Sequence, residues 1–385
     1  MSEALPAHGQ LPDNPTVAPE NIDPHLADEV RISSCRGVMT PGSGSSSLLA
    51  VRLVSVAAFS SLVLGHLAGA SLPSATNAMA ADAKAANRLS IMTYNVAGLP
   101  FPAALDRTGA LQEIGSRLAN LRREGLQPRI VLLQEAFTPE AKSIAALAGY
   151  RYVARGPGAH EVRADETPTM PLDYRSAESW SKGETEGKWA DSGLLVLSDY
   201  PIVHVARRAF AADACAGFDC LAAKGLLLAW IKVPGLARPL VVGDTHLNSR
   251  HATGVSTERA DAAYAEQLRE AGQFVAGQVP PSTSIIFAGD FNVGHDRQRV
   301  ALADPARILP GPSAEATSQY QSAHPLGPAD RDMQAVVARG KDKQFYRPGT
   351  NQTLRLQAIG VPFGITSGGY RLSDHLGYVV SYAAR

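Results

Sequence analysis

The chain has 385 residues, 45% of them hydrophobic, which is enough apolar material for one large domain or two small ones. Its 36 basic and 36 acidic residues cancel. The chain as a whole therefore has neither the basic excess that suits tight nucleic-acid binding nor the acidic tail that suits a basic partner.

Residues 1–50 are rich in Pro, Gly and Ser, show no hydrophobic period, and read as a disordered leader. Residues 51–80 differ. Arg52 precedes "LVSVAAFSSLVLGHLAGA", Leu53–Ala70, which holds no Lys, Arg, Asp or Glu, and Ala78-Met79-Ala80 follows with a small-x-small pattern. This stretch predicts an export signal cleaved near Ala80, with a membrane anchor over 53–70 as the alternative. Translation beginning at Met39 is a second expectation. Of the three cysteines, Cys35 lies ahead of that signal, and Cys215 and Cys220 remain in "CAGFDC". An isolated pair in an exported chain predicts a disulfide.

Residues 88–385 read as the folded domain. "LSIMTYNVA" is a predicted strand, and Leu111, Ile114, Leu118 and Leu121 follow at helical spacing. "RIVLLQE" is a second strand, with a helix beginning near Pro139. "SGLLVLS", "KGLLLAWIKV" and "LVVGDTHLN" are further strands. Tyr264, Leu268 and Phe274/Val275 mark a longer helix that leads into the strand "SIIFAGDFN". "KQFYR", "LRLQAI" and "HLGYVVSY" close the chain as strands. Interleaved strands and helices of this number predict one α/β domain of about 300 residues. Residues 156–190, with Trp180 and Trp189, and residues 303–340 read as long loops, which in a compact domain are usually functional or disordered.

Polar residues with chemistry to offer stand at the ends of these strands. They are Asn95 in "TYNVAGLP", Glu135 in "VLLQEAF", His246 and Asn248 in "GDTHLNS", and Asp290 and Asn292 in "GDFN". Asp342 in "KDKQFY" and Asp374-His375 in "LSDHLG" complete the series. Each alone has an ordinary explanation as a turn, cap or hydrogen-bonding residue. Asp290 and Asn292, two apart in an extended chain, are expected on one face.

The series in this order resembles the endonuclease/exonuclease/phosphatase superfamily, the group of deoxyribonuclease I-like enzymes. The resemblance covers Leu89 to Tyr382. It implies a four-layer α/β sandwich, two packed mixed sheets flanked by helices. It also implies a Mg²⁺-dependent phosphoesterase, with Mn²⁺ able to substitute, in which water attacks a phosphodiester. Carried over, Glu135, Asn95 and Asp374 are the expected metal residues, and Asn248 and Asn292 are expected to bind substrate phosphate. His246, Asp290, Asp342 and His375 are expected to be catalytic, with Asp342 orienting His375. Whether Asp290 or His375 is the general base stays open. "DCLAAKGLLLAWI", with Lys224-Gly225, is similar to the bacterial neutral sphingomyelinase branch. The implied partner is then a phospholipid headgroup at a membrane surface, acted on by a monomer. A secreted nuclease acting on nucleic acid is the alternative, and a non-catalytic binding subunit of the same fold is a third reading.

Overall fold

The computed structural model describes residues 89–100, 103–161, 167–365 and 371–385. The expected leader (1–50) and the signal or anchor segment (51–80) lie outside the described residues. Among the described residues, no helix is long and apolar enough to cross a membrane.

The strands are β1 (Leu89–Gly98), β2 (Ile130–Ala136), β3 (Tyr152–Arg155), β4 (Leu195–Ser198), β5 (Ile202–Ala209), β6 (Gly225–Ile231), β7 (Leu240–His246), β8 (Ile285–Asp290), β9 (Ala314–Glu315), β10 (Asp342–Arg347), β11 (Leu354–Gly360) and β12 (Tyr378–Ala384). Two six-stranded sheets result, in the orders β11-β12-β1-β2-β4-β3 and β5-β6-β7-β8-β10-β9. Each is mixed, because β1 with β2 and β7 with β8 are parallel pairs among antiparallel neighbours. The helices are α1 (Thr108–Arg123), α2 (Pro139–Leu147), α3 (Leu172–Ser176), α4 (Thr257–Gln278), α5 (Arg297–Leu302), α6 (Pro305–Ile308), α7 (Ala316–Ala323) and α8 (Arg331–Arg339).

Strand parity builds the layers. On β1, Leu89 and Ile91 face the second sheet, whereas Met92, Tyr94 and Val96 pack with Leu111, Ile114 and Leu118 of α1 and with Ile144 of α2. On the second sheet, Leu240, Val242 and Ile286 join the layer between the sheets. Val241, Ile285 and Phe287 pack instead with Tyr264, Leu268 and Val275 of α4. Helix, sheet, sheet and helix therefore stack in the expected sandwich. Each fully buried Leu, Ile or Val contributes about 1.5–3 kcal/mol to holding it.

Three expectations differ from the structure. Residues 156–190 are not a plain loop, since α3 and a 3-10 turn at Trp180–Lys182 lie within them. Residues 303–340 are not a plain loop, since α6, α7 and α8 lie within them. These helices are too short to show a clear hydrophobic period, and side-chain caps start two of them. Asp304 accepts from the Ala306 N–H, and Glu315 accepts from the Thr317 and Ser318 N–H groups. The strand of Asp290 ends at that residue, so Asn292 does not stand beside it on an extended face. Asn292 has φ +47°, and its N–H donates to Asp290 Oδ1 at 2.9 Å.

Candidate active site

The site is where the layer between the sheets stops being apolar. The inward-facing series on β1 runs Leu89, Ile91, Thr93, Asn95, and that on β7 runs Leu240, Val242, Asp244, His246. On β8 it runs Ile286, Ala288, Asp290, and β10, which is antiparallel to β8, brings Tyr346, Gln344 and Asp342 alongside. Asp342 is the register partner of Asp290, and Asp290 is the register partner of His246. Period-2 alternation alone thus converges polar side chains from four strands on one end of the sandwich. Behind them, Gln134 donates to Asp244 at 2.7 Å, and Gln344 donates to the Ile91 carbonyl at 3.2 Å. These bonds satisfy part of the polar entry into the core, and Asp244 Oδ2 is left without a partner among the described residues. Burial pushes the Asp244 carboxyl well above the usual carboxylate range, against the hydrogen bond from Gln134.

Local backbone conformations aim the remaining groups. Glu135 closes β2 with φ +55°, a left-handed conformation that costs a residue with a side chain about 1 kcal/mol or more. Gly289 has φ +140°, and a Cβ there would lie 2.1 Å from the Thr245 carbonyl oxygen. Only glycine lets β8 run this close to β7 at the site.

Asn95 bridges two carboxylates. Its Nδ2 donates to Glu135 Oε1 at 2.9 Å and to Asp290 Oδ2 at 3.1 Å, while its Oδ1 accepts from the Ala97 N–H. Asp290 Oδ2 also faces both histidines, 3.5 Å from His246 Nε2 and 3.4 Å from His375 Nε2. The other ring nitrogen of His375, Nδ1, donates to Asp342, 2.9 and 2.8 Å from its two oxygens. The expected Asp342–His375 pair is therefore in place, and the carboxylates hold the ring by both nitrogens.

The two histidines are shifted in opposite directions. Burial disfavours charge on His375, but the Asp342 and Asp290 carboxylates outweigh it and raise the imidazole to about 9. Burial together with the Lys224 ammonium lowers His246 to about 3. Lys224 Nζ lies 3.3 Å from His246 Nε2, the nitrogen that also faces Asp290. Burial raises Asp290, yet His375 and His246 outweigh it, and the carboxyl is held well below its ordinary range. Glu135 is raised by burial.

Other expected residues sit differently. Asn248 is fully buried with both ends of its amide engaged, Oδ1 accepting from the Ala216 N–H and Nδ2 donating to the Ser249 carbonyl. In this structure it braces the loop of Cys215 and Cys220, which form a disulfide. Asn292 uses one N–H of its amide on the Leu247 carbonyl. Asp374 stands at the rim, ion-paired with Arg339 at 2.7 Å and 3.9 Å from His375 Nε2.

Three cations at the site have no role assigned from the sequence, although Lys224 is noted there for its resemblance. Lys224, buried, is held by Asp219 at 2.9 Å beside His246. Its signal was a lysine directly ahead of a fully apolar strand. Arg299 on α5 is 1% exposed, donates to the carbonyls of Asn248 and Asn292, and pairs with Asp261 at 2.7 Å. It ties together the backbone just beyond the catalytic ends of β7 and β8. Arg107 does the same for β1, donating to the carbonyls of Val96, Ala97 and Leu372. Nothing in the local pattern distinguishes these two arginines from surface arginines.

The donor set fits a hard divalent cation. Glu135, His246 and Asp290 each offer a ligand atom within 4.8 Å of the others, as do Asp290, Asp342 and His375. Carboxylate oxygens dominate and no thiolate takes part, and a cation beside Glu135 would offset the burial of its charge.

A domain of this architecture, with a carboxylate cluster and two histidines at one end of its paired sheets, defines a class of hydrolase-like sandwich. The model of the Endonuclease/Exonuclease/phosphatase family matches residues 92–375. The chain belongs to that family. A sphingomyelinase of Mycobacterium bovis is 26% identical over 303 residues, covering 76% of this chain and 52% of that protein. Sphingomyelinase C of Listeria ivanovii is 32% identical over 131 residues, 32% of this chain and 37% of the relative. The chain thus spans about half the length, or less, of the curated relatives it matches. Among solved structures, SmcL superposes with TM-score 0.50 at 18% identity, over 77% of this chain and 99% of the other. A zebrafish (D. rerio) TDP2 complexed with single-strand DNA product gives 0.50 at 16% identity over 77% and 99%. These likenesses show the fold.

Proposed function

We propose that the chain is an exported, divalent-metal-dependent phosphodiesterase that cleaves a sphingomyelin-type phospholipid by attack of water on phosphorus. The observation that carries the chemistry is the Asp342–His375–Asp290 chain beside Glu135, which places a charged imidazole and an ionised carboxylate 3.4 Å apart at a carboxylate cluster. The sphingomyelinase relatives support the substrate class. The disulfide supports export, because such bonds persist in oxidising compartments.

Each residue has a part in this reading. Asp290, kept ionised, accepts the proton of the attacking water. His375, charged and oriented by Asp342, delivers a proton to the leaving oxygen. The remaining N–H of Asn292 holds a phosphate oxygen, and Lys224, whose three N–H groups are directed at Asp219, the Leu247 carbonyl and His246 Nε2, adds fixed positive charge behind it. Asn95 keeps Glu135 and Asp290 apart and aligned. Glu135 would hold the cation, which when bound supplies positive charge against the developing charge on the phosphate.

The test is a side-by-side assay of the protein on sphingomyelin vesicles, supercoiled DNA and inositol phosphates, with Mg²⁺ and with EDTA. Metal-dependent release of phosphocholine from the vesicles is the expected outcome. Nicking of DNA without lipid turnover would replace the lipid reading with the nuclease one.

A further inference from the structure

Two of the three tryptophans of the chain are exposed, Trp180 by 73% and Trp189 by 70%, and Phe218 is 47% exposed. They belong to one surface. Trp180 opens a short 3-10 turn closed by Gly183, and a Cβ at Gly183 would meet the Leu221 side chain at 2.9 Å. The Trp189 N–H donates to the Leu221 carbonyl at 2.7 Å. Lys182, inside the Trp180 turn, sits 5.6 Å from the centre of the Phe218 ring. Glu184 Oε1 accepts from the Gly217 N–H at 2.9 Å, fixing the turn to the disulfide loop. Large apolar side chains left in water on a well-braced scaffold mark an interaction surface.

This surface borders the site. Phe218 is followed by Asp219, whose carboxylate holds Lys224 at 2.9 Å, and Lys224 lies 3.3 Å from His246 Nε2. Two side-chain contacts thus separate the patch from the catalytic cluster. Over 180–190, Lys182 and Lys188 are matched in number by Glu184 and Glu186. Glu184 pairs with Arg259 at 2.6 Å, and the Arg259 guanidinium lies over the Tyr174 ring, so this arginine is spent beside the aromatics rather than free among them.

We propose that Trp180, Trp189 and Phe218 form a docking surface for a zwitterionic phosphocholine bilayer, seating the catalytic end of the sandwich on the lipid headgroups. Indole suits that interface because its body is apolar and its N–H is polar, and the balanced charge suits a neutral membrane rather than an anionic one. A nucleic-acid strand would instead favour free guanidinium groups interleaved with the aromatics. The proposal deepens the lipid-phosphodiesterase reading and rests on it for its substrate.

The test uses the full chain carrying Glu135→Gln, mixed in EDTA with phosphatidylcholine–sphingomyelin vesicles that contain brominated lipid. Trp180, Trp189 and Trp230 are the only fluorophores of their kind, and the apolar segment over 53–70 has none. Quenching and a blue shift therefore report docking of the patch whatever that segment does. The expected result is strong quenching, weakened by Phe218→Ala, which leaves all three tryptophans in place as reporters. In the active chain, the double substitution Trp180→Ala with Trp189→Ala and the single Phe218→Ala each lower turnover of vesicles about tenfold or more, because every buried aromatic contributes about that factor. Turnover of soluble bis(p-nitrophenyl) phosphate stays within about twofold. Equal vesicle turnover by the variants, or no quenching, would overturn the proposal. So would loss of a chain dimer or of single-strand DNA binding on the same substitutions. Quenching without hydrolysis by the active chain would keep the docking surface and defeat the phosphodiesterase reading instead.

Discussion

Replacing Asp342 by Asn keeps the size of the side chain and removes its charge. His375 then loses the first of the two carboxylates that hold its imidazole at about 9, and burial pulls it back towards or below the ordinary 6.5. A rise from 6.5 to about 9 corresponds to roughly 3 kcal/mol of preference for the charged ring. At pH 7.5 the imidazolium fraction falls from nearly complete to about one tenth or less, which alone lowers the rate about tenfold. Loss of the fixed tautomer lowers it further. His375→Ala removes the proton donor and is expected to cost several orders of magnitude, and the double variant little more, because the residues act as a unit. The assay is the pH profile of kcat/KM on a soluble phosphodiester, with a ring-proton NMR titration of the metal-free protein. The sign for stability follows from the same shift. A group raised in the folded state contributes fully below pH 6.5, and that contribution is lost as pH rises through about 9. Melting of the metal-free protein should drop over that window and flatten in Asp342→Asn. An unchanged alkaline limb in Asp342→Asn, or additive losses in the double variant, would refute the coupling.

Mg²⁺ is expected to raise the melting temperature, and Glu135→Gln to remove that rise without lowering the metal-free melt, since it removes a buried charge. Calorimetry checks it. Reducing Cys215–Cys220, which closes a loop of sequence separation 5, should cost about 2 kcal/mol, read from denaturant midpoints. Arg299→Met leaves two buried carbonyls and Asp261 short of a partner, and should cost about 3 kcal/mol or more. Arg299→Lys should restore part of that stability, with kcat still reduced more than KM changes.

Much of the site was legible because strand parity is local. Period-2 alternation told which ends of β1, β7, β8 and β10 would be polar, and the short ordered motifs told in what sequence. The Asp342–His375 pair came from the family resemblance rather than from strand parity, which accounts only for Asp342 standing beside Asp290; the loop ahead of β12 brings His375 to it. What was not legible depends on backbone turns and long-range bracing. The positive φ of Asn292 turns it out of strand register, and the amide of Asn248 is spent on a loop from elsewhere in the chain. Lys224, Arg107 and Arg299 acquire their roles only through carbonyls and carboxylates that the fold brings to them. The helices of 303–340 are short and start from side-chain caps, so periodicity had too little length to show them.

The central claim is hydrolysis at phosphorus by water, and the most direct test is turnover of sphingomyelin with Mg²⁺ in ¹⁸O-labelled water. The account predicts one ¹⁸O atom in the phosphate of the released phosphocholine, seen as an isotope shift by ³¹P NMR, and none in the ceramide hydroxyl. Label in the ceramide, or undiminished release in EDTA, would contradict it.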